Sequence, residues 1–582
     1  MPLPAPSLPK GLATALLLGA AALAPPPAAA RQPATQAATR TAAQGEGMVS
    51  AADPRAVAAG TEILRAGGSA TDAALAVMLA LNVVEPQSSG IAGGGFFLNS
   101  DAQGRVETID GREIAPAAAD ADWFMAGGQP LAFAALVPGG RGVGVPGTIA
   151  LAAKAHARHG RLAWARLFQP AIRLARDGFL VSPRLHATLA LSQTSGAFSP
   201  EARKLFYTPT GEPVAVGTRI RIPALAQTFS RIARHGPAAF YRGAEAAAIV
   251  RAVTTAPKAP APMTTADLAA YQAQLRPPLC GTYRQWRICG MGPPSSGATT
   301  VFAILKQLER FDLTALGPES PVAWHLIAES MRLAYADRDR YLADPDFVTV
   351  PAAGLMDPAY LAQRSALIDP AHTLSVVTAG TPPGAQRLSR ASAPPAEEHG
   401  TTHFVAVDRW GSAVSYTNTI EAAFGSGLFV NGYFLNNELT DFALAPTVDG
   451  RAVANAVAPR KRPRSSMAPT LVHDAKGHFR LAVGAGGGAT IPAQVAKAII
   501  GVLDWHLSAQ RAIALPVLFA PGPTVVIEQG TALEQMVPAL GALGHADIQL
   551  REGRYKANAV EAVGGRLVGA ADPRSEGAAA TP

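Results

Sequence analysis

The chain has 582 residues, of which 48% are hydrophobic and 16% charged, with a formal net charge of +8 and two cysteines. That is ample material for a core, so a wholly disordered or fibrous chain is excluded; the length suits either several domains or one large core with insertions. The positive balance comes with no nucleic-acid-binding module. The basic residues read as scattered, apart from Arg460-Lys461-Arg462-Pro463-Arg464, which reads as a solvated loop able to help draw in anionic small substrates.

In chain order, residues 1–30 place Lys10 before an apolar run over residues 11–24, then Pro25 to Pro27 and Ala28-Ala29-Ala30. This is the layout of a secretory signal peptide, so the mature protein is expected in the periplasm or secreted. No other stretch offers the roughly 18 uninterrupted apolar residues that a spanning helix needs. A flexible leader over residues 31–47 is followed by a helix over 54–66 closed by Gly67-Gly68. A second helix opens at Ser69-Ala-Thr-Asp72 with a capping-box pattern and ends before Pro86. Ser88 to Gly95 leads into a strand at Phe96, and a second strand covers residues 106–110. The middle of the chain to about residue 375 is mainly helical, most clearly over 322–341.

Cys280 and Cys289 suit facing positions of a short hairpin, joined as a disulfide or left as buried thiols; neither has a metal-site spacing. Residues 378–400 turn to Thr, Pro, Gly, Ala, Ser and Glu, a composition expected to be exposed and mobile. From Thr402 the hydrophobic period becomes two, giving a strand over 402–408, a turn over 409–412 and a strand over 413–420. A later strand, 479–483, runs into the turn Gly484-Ala-Gly-Gly-Gly488 and then a helix over 492–507. The boundary near residue 400 thus separates two halves of one sheet-based core.

Thr401 opens the first strand after that boundary. A threonine hydroxyl is a poor nucleophile without a base, but a cut between Gly400 and Thr401 would free an α-amine with a pKa near 8 on the same residue. The plain alternative is an ordinary strand start. Gly484 to Gly488 presents backbone N–H groups at a helix N-terminus, which suits an oxyanion better than a phosphate because no Gly-Lys-Ser/Thr follows. Glu421, Glu438 and Asp441 suit a substrate ammonium. Ser465, Ser466 and Arg112, the last an isolated cation at a strand end, suit a carboxylate. Together they describe an amino-acid-like ligand. His399 and His403 are four apart, but the extended pattern between them argues against a metal pair, and no Gly-x-Ser-x-Gly elbow is present.

The chain resembles bacterial γ-glutamyltranspeptidases (glutathione hydrolases) of the N-terminal-nucleophile superfamily from about residue 48 onward. The resemblance rests on Gly67-Gly-Ser-Ala-Thr-Asp72, Gly93-Gly-Gly-Phe96, Gly111-Arg-Glu-Ile-Ala-Pro116, Pro293-Pro-Ser-Ser-Gly297, Tyr335-Ala-Asp-Arg338, Asp344-Pro-Asp-Phe347, Thr401-Thr-His-Phe404, Phe424-Gly-Ser-Gly427, Leu435-Asn-Asn-Glu-Leu-Thr-Asp-Phe442, Lys461-Arg-Pro463 with Ser465-Ser-Met467, and the Gly484 to Gly488 turn. It implies an α+β, four-layer αββα fold and a precursor that cuts itself into a large chain ending at Gly400 (from 48, after the leader) and a small chain, 401–582, which stay together as a heterodimer. It further implies that Thr401 is the nucleophile, that Thr419 hydrogen-bonds it and that Gly487 and Gly488 hold the oxyanion. Arg112, Ser465 and Ser466 would take the substrate carboxylate, and Glu421, Glu438 and Asp441 its ammonium. The implied substrates are glutathione and other γ-glutamyl compounds, with water, amino acids or dipeptides as acceptors and no cofactor or metal.

The sequence departs from the family pattern in places. Residues 442–464 lack the tyrosine that closes a lid in some relatives, Glu421 stands where some carry Asn, Ala298 replaces a second glycine, and Ala485-Gly486 replaces Ser-Pro. The rival readings are a glutaryl-type (cephalosporin) acylase on the same fold and a non-catalytic secreted binding protein.

Overall fold

Two seven-stranded antiparallel sheets carry the fold. In chain order their strands are β1 (Arg40–Ala43), β2 (Met48–Ala51), β3 (Gly94–Ser100), β4 (Val106–Asp110), β5 (Gln274–Arg276), β6 (Leu279–Tyr283), β7 (Trp286–Gly290), β8 (Gly400–Val407), β9 (Ala413–Glu421), β10 (Thr470–His473), β11 (Phe479–Gly486), β12 (Lys556–Val563), β13 (Arg566–Ala571) and β14 (Ala578–Ala580). The first sheet runs β1-β13-β12-β11-β10-β7-β6 and the second β14-β2-β8-β9-β3-β4-β5. Each sheet therefore draws strands from both sides of residue 400. The computed structural model describes residues 1–2, 40–43, 45–385 and 400–582. The chain divides into the units Met1–Gln36 and Ala37–Pro582, and both sheets belong to the second. The signal-peptide reading, and most of the Pro-rich stretch before Gly400, lie outside the described residues.

Among the helices that flank the sheets or build the lobe beside them are α1 (Pro54–Arg65), α2 (Ala70–Val84), α3 (Gln169–Asp177), α4 (Pro183–Leu191), α5 (Pro223–His235), α6 (Gly297–Leu308), α7 (Pro321–Tyr341) and α8 (Ile491–Leu503). The capping box at α2 forms as the sequence suggests: Asp72 N–H donates to Ser69 Oγ at 3.1 Å and Ser69 N–H to Asp72 Oδ2 at 3.0 Å. Helices α1 and α2 cover the outer face of the second sheet, while α6 and α8 cover the first, with α7 packed on α6. Alternation along β8 sorts its side chains. Phe404 and Ala406 enter the core under α2, whereas Val405 and Val407 enter the core shared by the sheets. The result is a four-layer αββα sandwich.

Three local expectations need correction. The strand β11 does not stop at Val483: Gly484, Ala485 and Gly486 still pair with Asn558, Ala557 and Lys556, so the turn is confined to Gly487 and Gly488. Helix α8 ends at Leu503 rather than 507, because His506 takes a left-handed φ of 52° and Leu507 N–H folds back to Gly501 O at 2.8 Å. The basic run is no solvated loop, since Lys461, Arg462 and Arg464 are buried. Lys461 Nζ donates to the Ala454 and Ala456 carbonyls, Arg462 pairs with Asp110, and Arg464 pairs with Asp339. Cys280 and Cys289 face each other across β6 and β7 and are joined as a disulfide.

Candidate active site

Thr401 sits where β8 crosses the first sheet. Gly400 pairs with Glu421 and Thr402 with Asn418, so one residue of β8 faces two of β9 and a bulge falls at Thr401. Glu421 takes the strain of that step, with φ at 76° in the left-handed region that non-glycine residues avoid. The bulge directs two hydroxyls onto one carbonyl. Thr401 Oγ1 lies 2.5 Å from the Gly400 oxygen, and Thr419 Oγ1 donates to that same oxygen at 2.5 Å. Thr419 Oγ1 is fixed in turn by accepting Glu421 N–H at 2.8 Å, and it lies 3.2 Å from Thr401 Oγ1.

Close passage of the two sheets at this point depends on residues without side chains. A methyl on Gly486 would lie 2.4 Å from Thr401 O, and one on Gly484 would lie 2.4 Å from the His403 ring. His403 is wholly buried with Nδ1 2.8 Å from Thr417 Oγ1, and burial pulls its pKa down to about 3, so it is a neutral spacer. Gly487 and Gly488 follow at once, with φ of 125° and 58°, and lead into a 3-10 turn and α8.

Behind Thr401 and Thr402 lies a buried ion pair that no local pattern announces. Lys556 Nζ donates to Glu85 Oε2 at 3.0 Å and to Ser88 Oγ at 2.9 Å, and Thr402 Oγ1 donates to Glu85 at 3.2 Å. Burial lowers the Lys556 pKa to about 8, against the pull of Glu85. The partners are 471 residues apart in sequence.

The remaining site residues connect to Thr401 in a chain of contacts. Asn437 donates through Nδ2 to the Glu421 carboxylate, and its own Oδ1 accepts Ala422 N–H at 2.9 Å. The next residues form a 3-10 turn, Glu438–Asp441. Arg112, read from sequence as an isolated cation, is fully buried: Nη1 donates to Glu438, Nη2 to Asp441 and to Arg464 O (2.8 Å), and Nε to Pro463 O (3.2 Å). It therefore ties the Glu438–Asp441 turn to the segment that delivers Ser465 and Ser466. Ser466 Oγ accepts from Arg338 Nη2 at 2.5 Å, and Ser465 Oγ accepts Met467 N–H at 3.2 Å.

Glu113, Glu438 and Asp441 crowd around Arg112, with Arg338 and Arg464 also acting on Asp441. Burial pushes the Glu438 carboxyl up to about 7 despite Arg112, and raises that of Asp441. Glu113 is raised well above the carboxylate range, first by burial and then by Glu438. An incoming cation would relieve this crowding. Of these residues, sequence reasoning assigned no role to Asn437, Glu113 or Arg338, although each lies in a quoted motif; Glu85 and Lys556 lie in none.

Among the described residues one other group, His325, Glu329 and His545, could place ligand atoms around a metal. Its atoms are already engaged. His325 Nδ1 is 2.8 Å from His545 Nε2, His325 Nε2 is 2.8 Å from Asp369 O, and Glu329 accepts from Arg332, Thr373 and Leu374.

Two antiparallel sheets face to face between helical layers, with a hydroxyl residue at the head of a central strand opposite a glycine-lined neighbour, define the class of N-terminal-nucleophile hydrolases. A profile of the family Gamma-glutamyltranspeptidase matches residues 56–581, and the chain belongs to that family. It is 36% identical over 545 residues to the glutathione hydrolase proenzyme of Bacillus subtilis (strain 168), covering 92% of this chain and 91% of that protein. The acylase ACY 1 proenzyme of Pseudomonas sp. (strain V22) is 35% identical over 548 residues, covering 92% and 94%. Cephalosporin acylase from Bacillus halodurans superposes with a TM-score of 0.79 at 26% identity, covering 93% of this chain and 96% of the other.

Proposed function

We propose that the protein is a self-processing γ-glutamyltransferase and glutathione hydrolase. Thr401 Oγ1 attacks the Gly400 carbonyl carbon, the C–N bond to Thr401 breaks as its nitrogen takes a proton, and water hydrolyses the resulting ester. The products are a large chain ending at Gly400 and a small chain, 401–582. The observation that carries this reading is the convergence of Thr401 and Thr419 hydroxyls on the Gly400 oxygen, one as nucleophile and one as donor to the developing oxyanion. A side chain on Gly400 would collide with Glu421 O at 2.5 Å, which accounts for glycine there.

In the mature enzyme the freed amine of Thr401 accepts the hydroxyl proton as Oγ1 attacks the γ-glutamyl carbonyl. Gly487 and Gly488 N–H groups hold the oxyanion, and the amine returns the proton to the leaving group. Water, an amino acid or a dipeptide then takes the γ-glutamyl group from Thr401. Glu421, Glu438 and Asp441 receive the substrate ammonium, which replaces part of the charge that Arg112 supplies to the two carboxylates. Arg112, Ser465 and Ser466 receive the α-carboxylate. The proposal includes export, with residues 1–30 removed; no helix among the described residues is long and apolar enough to cross a membrane.

A glutaryl acylase is the second reading, favoured by the likeness to the two acylases. A glutaryl group lacks the ammonium that the carboxylate cluster suits. Turnover of γ-glutamyl-p-nitroanilide against glutaryl-p-nitroanilide separates them, with the γ-glutamyl compound expected to be preferred by at least about tenfold for one lost charged contact. Preference for the glutaryl compound overturns the assignment.

A further inference from the structure

The chain's positive charge is concentrated in one part of the fold. Residues 154–258 hold sixteen Lys and Arg against four Asp and Glu, a net +12, whereas the whole chain nets +8, leaving −4 for everything else. The sequence impression of scattered basic residues is thereby corrected. Most of these side chains are exposed, among them Arg173, Arg176, Arg219, Arg221, Arg231 and Arg234.

Helices α3 and α5 bring this charge to one cleft. A cavity of about 490 Å³ opens between them, floored by Ile172, Pro223 and Ala226 and rimmed by Arg176, Arg231, Arg234 and His235. Arg219 Nη1 donates to Gly178 O at 3.1 Å and Arg221 Nε to Asp177 O at 3.2 Å, so both sit at the end of α3 beside Arg176. Two acids temper the group, Asp177 at 2.7 Å from Arg176 and Glu245 at 2.5 Å from Arg231.

Large apolar side chains stand out of the same lobe. Leu180 (47% exposed) pairs in register with Arg219, Val216 (51%) lies in the loop leading to it, and Leu191 (58%) ends α4. A soluble polyanion needs only the arginines. Arginines interspersed with protruding Leu and Val match a surface whose charged layer lies over hydrocarbon. We infer that this lobe docks the protein on an anionic phospholipid bilayer, with headgroup phosphates at the α3/α5 cleft and Leu180 and Val216 entering the interface.

The test is co-sedimentation of the full processed protein with vesicles of phosphatidylcholine alone or with one-quarter phosphatidylglycerol. Binding is expected only with phosphatidylglycerol, and it should fall at least about tenfold between 50 and 500 mM salt. Arg221→Gln/Arg234→Gln should weaken it by roughly 30-fold, at about fivefold per basic residue near the surface, with γ-glutamyl turnover unchanged. Leu180→Ser/Val216→Ser should weaken it severalfold at both salt concentrations. Equal binding to neutral vesicles overturns the inference, as does unaltered binding by the arginine variant. Full binding by the Leu180/Val216 variant together with tighter capture by soluble polyphosphate would instead assign the lobe to a soluble polyanion.

Discussion

Thr419 Oγ1 donates to the carbonyl oxygen of Gly400 at 2.5 Å, from the strand that pairs with the one Gly400 begins. The donor is thus in place before any bond is cut. Thr419→Val is expected to slow self-cleavage by roughly 10²-fold, the usual effect of deleting one oxyanion donor, while Thr419→Ser retains most of the rate. A time course on denaturing gels reads both. Thr401→Ala should remain one uncut, inactive chain.

Gly400→Ala places a methyl 2.5 Å from Glu421 O and 3.0 Å from the Ala422 carbonyl. Those atoms belong to backbone already strained at Glu421, so the strand end must shift and move the carbonyl away from both hydroxyls. The expected outcome is a folded precursor, normal by circular dichroism, that is cut at least about tenfold more slowly. Wild-type processing of this variant would refute the geometric account of the cut.

The Glu85 and Lys556 pair joins segments from either side of residue 400 beneath β8. Lys556→Met leaves Glu85 buried without its cation and is expected to cost about 3–5 kcal/mol, whereas Glu85→Leu/Lys556→Met should cost less than either single change. Urea unfolding of uncut Thr401→Ala backgrounds measures this without subunit loss. Equal or additive losses would mean that the pair is not an energetic unit.

The Glu438 carboxyl, held near 7 by burial, gives a pH dependence with a definite sign. Its folded pKa exceeds the ordinary value of 4.5, so the native state binds more protons between those values and loses stability as pH rises across that window. The proposed binding of a substrate ammonium at Glu438 goes the other way, because it would require the ionised carboxylate. KM for γ-glutamyl-p-nitroanilide should therefore fall as pH rises from 6 to 8, and Glu438→Gln should raise KM and flatten that limb.

What could be read from the sequence follows from what is local. The Ser69/Asp72 capping box needs contacts three residues apart, and the alternation after Thr402 needs only the pleat, so both were legible. The hydroxyl of Thr401 stood out because a composition break precedes it. The burial of Arg462 and Arg464 was not legible, because their acids, Asp110 and Asp339, are distant in sequence and a charged run gives no local sign of such partners. The same holds for Arg112, whose neutralisation depends on residues more than 300 positions away. The extension of β11 through Gly486 was hidden because consecutive glycines signal a turn by propensity, whereas here they let one sheet pass close to another.

The bulge at Thr401 also governs what the molecule would keep after the proposed scission. Among the described residues, only the Gly400–Glu421 pairing of this hairpin lies upstream of the proposed break, while every rung from Thr402–Asn418 to Val407–Ala413 lies downstream. A terminus freed there would sit at the end of a zipped hairpin and inherit a fixed seat, so the severed strand could become a reactive centre with no refolding of its partners.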